Sequence, residues 1–587
     1  MATMAEAPQR DTRQLSLVGL SLFAVVIGVV TGFGAILLRY LINLIHNLFF
    51  LGRLSLEYDA NLPTDPSPFG PAIILAPVIG GLIVVFMVRR FAPEAKGHGV
   101  PEVMDAIYYK GGRIRPVVVI VKSLASALSI GSGASVGREG PIIQIGSGIG
   151  SVLGQFAHLR SWQRITLVAC GAGAGIAATF NTPLGGLMFA IELMLPEFSA
   201  RTLLPVVLAT GTATYMGRLA FGIEPAFLVG AHERPDLYVP LSTDMLPLYI
   251  FFGLLCGVAA ALFVRTLYRT EDFFDGIRLN PYLKNAIGMA GLGALFYVLM
   301  LTTGQYHTAG VGYATIQQVL TGQIAGPGFL LLLFAVKLLA TSVSLGAGAS
   351  GGVFSPSLFL GATLGAAFGA GLDAAFPYLG FDTITFALIG MAAIVGAGTS
   401  ATMTAIIMIF EMTGDYTIIV PAVIAVATAT GIRRAIMSDD IYTMKLSRRG
   451  HHIPREARAH MFPLQKAGTV MEPVVAAVER TDLHPPGAVR PREKGKRSFA
   501  VVVDGRHIEG VVAVDRDDPK NALGPILSPV GLVRENSFLQ DAIRHMADRG
   551  HRALLVLPDG ASPRAENVTG VITRVMIAET VLHDYRS

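Results

Sequence analysis

The sequence predicts an all-α polytopic membrane protein with short, broken helices, arranged as two equivalent halves and followed by an α/β tail. Three observations carry this reading. Of 587 residues, 52% are hydrophobic and only 15% are charged, with a mean hydropathy of +0.56; an ordinary soluble protein is roughly 25% charged. A long Gly- and Pro-containing segment occurs twice in register. Charge is sparse up to about residue 436 and dense beyond it. A soluble enzyme and a disordered chain are both excluded by this composition. The two cysteines, Cys170 and Cys256, lie in apolar runs, so there is no disulfide scaffold and no Cys zinc site. The net charge of +5 is small and dispersed, and no nucleic-acid partner is expected.

The elements follow in chain order. Residues 1–14 are polar and lack a signal-peptide cleavage pattern. The apolar run at 16–50 is too long for a signal segment and is predicted to be a retained first helix. Further apolar segments occur at 71–91, 116–130, 141–157, 165–194, 203–221, 245–268, 284–303, 328–345, 357–376, 383–410 and 417–432. A full span needs about 20 apolar residues. Several of these segments are shorter, and several contain Gly or Pro. Broken helices are tolerated at membrane depth only where protein or a water-filled cavity covers the freed backbone groups. This favours a transporter or channel with discontinuous helices.

Residues 121–150 and 336–365 align at a constant offset of 215 without a gap. Lys122, Ser129, Ser135, Gly137, Pro141 and Gly146 recur as Lys337, Ser344, Ser350, Gly352, Pro356 and Gly361. A weaker echo pairs 97–101 with 310–314. Two structurally equivalent halves follow. The repeat leaves open whether they are parallel or inverted.

Three Gly-rich stretches stand out: Gly97-His98-Gly99-Val100-Pro101, Gly137-Arg138-Glu139-Gly140-Pro141 and Gly352-Val353-Phe354-Ser355-Pro356. Pro suits the first turn of a helix, and Gly lets backbone approach a ligand. Helix N-termini carry free N–H groups and partial positive charge. Three such ends converging would replace an anion's hydration shell without a fixed full charge, so the ion can leave again. The alternative is close helix packing alone, the role expected of Gly146, Gly150, Gly361 and Gly365. Glu139 adds a carboxylate inside an apolar region, which is costly and marks function. Arg138 is adjacent in sequence and points elsewhere on a helix. Glu139 is therefore expected to fill the anion site when ionised and to vacate it when protonated, as gate and proton carrier.

GREGP at 137–141, GVFSP at 352–356, NTPLGGLMFAIELM at 181–194, IFEMTGDYTIIVP at 409–421 and Ile441-Tyr442-Thr443-Met444-Lys445 resemble the CLC family of chloride channels and chloride/proton antiporters. The resemblance covers nearly the whole chain. It implies inverted repeats, a homodimer with one pore per subunit in the lipid bilayer, a multi-pass cell-membrane location and cytoplasmic termini. Its transported partners would be chloride or a similar small anion, and protons in the antiporters. By position, Glu139 matches the gating glutamate. The amides of Val353 and Phe354 and the hydroxyl of Tyr442 match anion ligands, alongside Gly97, His98, Gly99, Gly137, Arg138 and Gly352 in the three loops. Lys122 matches a buried lysine near the pathway. The implied organisation is a transmembrane domain at 1–436, a linker at 437–466 carrying Tyr442, and a tail at 467–587.

Two residues depart from the family pattern. Chloride-selective members have Ser where this chain has His98. Either a ring N–H replaces the hydroxyl as donor, or the ring turns away and backbone alone binds. Antiporters commonly carry a glutamate just after the residue matched by Glu192, and here that position is Leu193. The expectation is therefore channel-like transport with weak or no proton coupling, with a chloride/proton antiporter as the alternative.

Arg433, Arg434, Lys445, Arg448 and Arg449 crowd past the last apolar run, which predicts a cytoplasmic C-terminal side. In the tail, strands are predicted at 499–503 and 510–514 around a turn opening with Asp504-Gly505. A helix at 539–548 and strands at 553–557 and 568–573 complete it. This resembles a pair of CBS domains with a short, degenerate first copy. Nucleotide-binding copies often place Asp three residues after a Ser or Thr; here Thr573 is followed by Met576, and Ala513 by Arg516. No cofactor and no metal are expected, and a nucleotide at the tail is the weaker alternative. A CBS-linked cation channel would want rings of Asp or Glu, and few buried carboxylates are present. An enzyme is not expected: a membrane enzyme would want a metal pair or an activated nucleophile, and neither HExxH nor GxSxG occurs.

Overall fold

The computed structural model describes residues 14–196, 198–229, 245–379, 381–453, 465–479, 498–505, 507–514 and 526–586. The chain forms two compact units, 1–457 and 458–587.

The first half of the first unit contains α1 (Leu17–His46), α2 (Leu75–Phe91), α3 (Val100–Tyr109), α4 (Pro116–Gly131), α5 (Glu139–Phe156), α6 (Ser161–Phe180), α7 (Pro183–Phe189) and α8 (Ala200–Phe221). The second half contains α9 (Leu246–Gly276), α10 (Pro281–Thr303), α11 (Tyr313–Leu320), α12 (Pro327–Gly346), α13 (Phe354–Ala375), α14 (Thr383–Thr399), α15 (Thr402–Thr413) and α16 (Ile419–Ile436). A short α17 (Thr443–Ser447) follows. Among the described residues, seven helices are long and apolar enough to cross a membrane, and α4, α14 and α15 are shorter apolar helices. Pro opens α4, α7, α10 and α12, where its missing N–H leaves no helical bond unmade.

Two apolar runs that look continuous in sequence are each two helices. The run at 165–194 breaks at Asn181, whose φ is 60°, and restarts at Pro183. The run at 383–410 breaks at Ser400, also at φ 60°, and restarts at Thr402. Hydropathy does not register these breaks, because both flanks of each are apolar.

The packing of α1–α8 is repeated by α9–α16. Helix α1 packs on α8 as α9 does on α16, α5 on α6 as α13 on α14, and α6 on α7 as α14 on α15. Reciprocal hydrogen bonds cross between the halves. Gly137 N–H donates to Gly352 O (2.7 Å) and Gly352 N–H to Gly137 O (2.5 Å). Ser135 N–H donates to Ser344 Oγ (3.0 Å), and Ser350 N–H to Ser129 Oγ (3.0 Å). Such exchange requires a two-fold relation between the halves.

A second reciprocal pair explains two helix-end carboxylates. Glu192 accepts from Met403 N–H (2.9 Å), Thr404 N–H (2.8 Å) and Thr404 Oγ1 (2.6 Å) at the start of α15. Glu411 accepts from Leu184 N–H (3.1 Å) and Gly185 N–H (2.7 Å) at the start of α7. Each carboxylate caps the other half's broken helix, satisfying N–H groups that have no intrahelical partner.

The second unit is a six-stranded sheet in the order β3-β2-β1-β6-β5-β4. Its strands are β1 (Glu472–Glu479), β2 (Ser498–Asp504), β3 (His507–Val514), β4 (Val530–Arg534), β5 (Ala553–Leu557) and β6 (Gly570–Thr573). Its helices are α18 (Ala467–Val470), α19 (Leu539–Arg549) and α20 (Arg574–Arg586). A parallel pair followed by an antiparallel strand occurs twice, as β1-β2-β3 and as β4-β5-β6. Helix α19 makes the crossover in the second copy. Strands β1 and β4 were not expected from sequence, because each is a short apolar stretch without alternation. At the spacing that would hold a nucleotide, Thr573 Oγ1 accepts from Met576 N–H (3.3 Å), and Arg516 lies outside the described residues.

Candidate functional site

The three Gly-rich loops meet. Gly97 N–H donates to Ala349 O (3.2 Å) and Gly351 N–H to Gly97 O (3.3 Å), tying the first loop to the third. The Gly137–Gly352 exchange ties the second to the third. The contact is backbone on backbone: a Cβ at Gly140 would overlap His98 O and lie 3.0 Å from Gly352 Cα. The alternative expectation, glycines serving helix packing alone, does not describe these positions.

Glu139 is the first residue of α5 and its repeat partner Phe354 the first of α13. The N-termini of both helices therefore face the same junction. The Glu139 side chain is completely buried there. Its Oε1 accepts from Tyr313 Oη (2.5 Å) and from Ser355 Oγ, and its Oε2 from Ser355 N–H (3.3 Å). A Cβ at Gly137 would overlap Oε2, so any side chain there would evict the carboxylate. Glu139 thus lies at a helix N-terminus among N–H and O–H donors, the setting an anion would take. Arg138 contributes differently. Its guanidinium lies 5.1 Å from the Tyr313 ring centroid, and it lines a cleft with Arg39, Tyr58, His307 and Tyr313.

On the other side of the junction, His98 and Tyr442 are buried with ring centroids 6.2 Å apart, and Tyr268 is 6.4 Å from His98. Neither ring nitrogen of His98 has a hydrogen-bond partner among the described residues. Tyr442 is delivered by the segment after α16, which packs on the first unit. Ile441 N–H donates to Gly398 O (2.9 Å), and Tyr268 Oη donates to Ile441 O (2.7 Å). Val353 and Phe354 are buried at the α13 start.

Lys122 is fully buried, and its ammonium donates to the carbonyls of Ala95 (3.0 Å) and Gly97 (2.7 Å). Lys337 repeats this, donating to the carbonyls of Thr308 (3.2 Å), Gly310 (3.0 Å) and Val311 (3.4 Å). Each lysine satisfies the carbonyls of a loop entering the junction. Leu193 is buried in the π-turn that ends α7. Its neighbour Glu192 is committed to capping α15.

Sequence reasoning missed Tyr313, Ser355 and Lys337. The repeat held the signal for two of them. Lys337 is the partner of Lys122, and Tyr313 lies in the 310–314 echo of the first Gly loop. Ser355 matches Gly140 in the repeat, and nothing in the pattern marks its hydroxyl.

The family model for voltage-gated chloride channels matches residues 80–434. The H(+)/Cl(-) exchange transporter ClcA of Citrobacter koseri is 34% identical over 449 residues, covering 75% of this chain and 90% of the relative. The ClcA of Yersinia pseudotuberculosis is 32% identical over 450 residues, covering 76% and 90%. Among solved structures, a slow cyanobacterial Cl-/H+ antiporter matches with a TM-score of 0.63 at 27% identity, covering 74% of this chain and 99% of that one. A eukaryotic CLC transporter shares the fold over 95% of this chain and 98% of that one, with a TM-score of 0.62 at 20% identity. On the family match and these relatives, placed beside the paired Gly-loop junction, the chain belongs to the CLC family of membrane anion transport proteins.

Proposed function

We propose that the protein exchanges chloride, or a similar small anion, for protons, with Glu139 as both gate and proton acceptor. The observation that carries this reading is the Glu139 carboxylate itself, buried among donors at the junction of two helix N-termini. A carboxylate there competes with an anion when ionised. Once protonated it becomes a weaker acceptor and can be displaced, so proton uptake and anion entry are linked. The channel-like expectation rested on Leu193 and gives way, since the relatives that match most of the chain are named as exchangers. Leu193 offers no carboxylate and Glu192 is occupied, so protons must reach Glu139 by another route. With the family reading go a homodimer, cytoplasmic termini and a cytoplasmic CBS-type tail.

The test is reconstitution into liposomes under a chloride gradient with the pH gradient varied. The expected result is a reversal potential that moves with the pH gradient, together with proton uptake proportional to chloride efflux. A reversal potential set by chloride alone would return the protein to the channel reading.

His98 is proposed as an anion donor through its ring. Two unpartnered nitrogens in a fully buried imidazole are costly, and an anion in the adjacent site would satisfy one of them. His98→Ala is expected to weaken chloride binding by roughly threefold to tenfold, the worth of one hydrogen bond. Calorimetric titration measures it. An unchanged affinity would mean that the loop backbone binds without the ring.

A further inference from the structure

We propose that Tyr313 is a positioning residue of the gate, whose hydroxyl is a latch that holds the ionised Glu139 carboxylate in the anion site and releases it without becoming unpaired. This rests on the reading of Glu139 as the gate.

The geometry is specific. Tyr313 is the first residue of α11, the helix that follows the second-half counterpart of the His98 loop. Its ring is buried, edge-on to Phe227 at 5.3 Å and tilted against Phe180 at 6.5 Å. Those contacts pack the ring from two sides, and its hydroxyl reaches the junction. The loop before it is fixed by Lys337 through three carbonyls. The hydroxyl has two partners, Glu139 Oε1 at 2.5 Å and Ser355 Oγ at 2.7 Å.

Packing alone would need only a phenylalanine at this position. If the hydroxyl merely had to be satisfied, Ser355 would suffice. The second contact, to a carboxylate, is charge-assisted and the stronger of the two kinds. It favours the gate in its seated, ionised form. When the carboxylate is protonated that advantage falls, and when it leaves, Tyr313 still has Ser355. Tyr313 can therefore let go without leaving its own O–H unpaired in an apolar interior, while the single O–H of Ser355, which also donates to Glu139, becomes available to the incoming anion. Among the described residues, the other ionisable groups around this point include Arg138, over the Tyr313 ring, Arg39, which lines the same cleft, and Lys337 and Tyr442, both near enough to feel the Glu139 charge.

The test uses the full chain in liposomes with a chloride gradient and compares four proteins: unmodified, Tyr313→Phe, Glu139→Ala and the double variant. Tyr313→Phe keeps the ring and its contacts. It is expected to raise chloride flux by about tenfold, the lower end of what one charge-assisted bond is worth, and to lower the protons moved per chloride. In the Glu139→Ala background the same substitution is expected to change flux by less than about twofold, because there is nothing left to latch. Unchanged flux and stoichiometry in Tyr313→Phe would overturn the proposal. So would lower flux at unchanged stoichiometry, or an equal change in both backgrounds, which is what a purely structural role produces. Proton coupling that survives Glu139→Ala would remove the gate reading itself. Coupling lost there, beside a silent Tyr313→Phe, would remove the latch alone.

Discussion

Glu139→Gln and Glu139→Ala are expected to abolish proton movement while chloride still crosses. The carboxylate is a buried titratable group seated among donors of α13 and Tyr313, with two hydroxyls and an N–H directed at it. Those donors do not depend on Glu139 for their own positions, since Ser355 belongs to a helix start fixed by the reciprocal Gly137–Gly352 bonds and Tyr313 follows a loop fixed by Lys337. Removing the carboxylate therefore leaves an intact anion site without its internal competitor. Chloride flux in the Ala variant is expected to rise by about tenfold or more, since displacing a carboxylate from even one charge-assisted hydrogen bond costs roughly 1.5–3 kcal/mol. The Gln variant keeps an acceptor for Tyr313 and should rise less. Chloride efflux and proton uptake recorded on the same vesicles decide the matter. Stoichiometric proton uptake in either variant would assign the proton to another group.

Gly171→Ala is expected to have the largest effect on folding. Helices α5 and α6 touch backbone to backbone: a Cβ at Gly171 would overlap the carbonyl of Gly146, and a Cβ at Gly146 would overlap the carbonyl of Gly171. No side chain can move aside, so the helices themselves must separate. The other half repeats the arrangement at Gly361 and Gly390. Overpacking of this kind costs roughly 1–3 kcal/mol, against at most about 1 kcal/mol gained from replacing helical Gly. Because α5 begins at Glu139, separation of α5 from α6 also moves the gate. Thermal unfolding of the purified protein in detergent measures the loss. Gly211→Ala, on α8 with nothing within 4 Å of the new methyl, is the control and should be neutral or slightly stabilising. Equal melting of the two variants would mean the contact is not tight.

Much of the site was readable because its parts are chemically conspicuous. Glycine next to proline in an apolar run, repeated at one offset, signals helix starts where backbone must come close. Glu139 in such a run signals function, since a carboxylate is expensive there. The two helix breaks at Asn181 and Ser400 were not readable, because apolar residues continue on both sides and single residues in the left-handed region leave no mark on hydropathy. Glu192 and Glu411 illustrate the same limit. Each caps a helix more than 200 residues away in sequence, and no local pattern encodes the partner.

What the sequence determined by itself is membership and material: a membrane-embedded chain in two equivalent halves, three Gly-rich helix starts, a lone carboxylate in one of them, and a tail of soluble composition. Local chemistry suffices for these, because hydropathy, backbone freedom and the cost of burying charge act on each segment where it stands. What only the tertiary structure decided is relation. The two-fold exchange of hydrogen bonds shows how the halves face each other. The crossing of α7 and α15 makes helix caps of Glu192 and Glu411. The loop anchored by Lys337 brings the Tyr313 hydroxyl to Glu139, 174 positions apart in the chain. The physical reason is that a hydrogen bond depends on distance and angle in space, and neither is a property of spacing along the chain until the helices have packed.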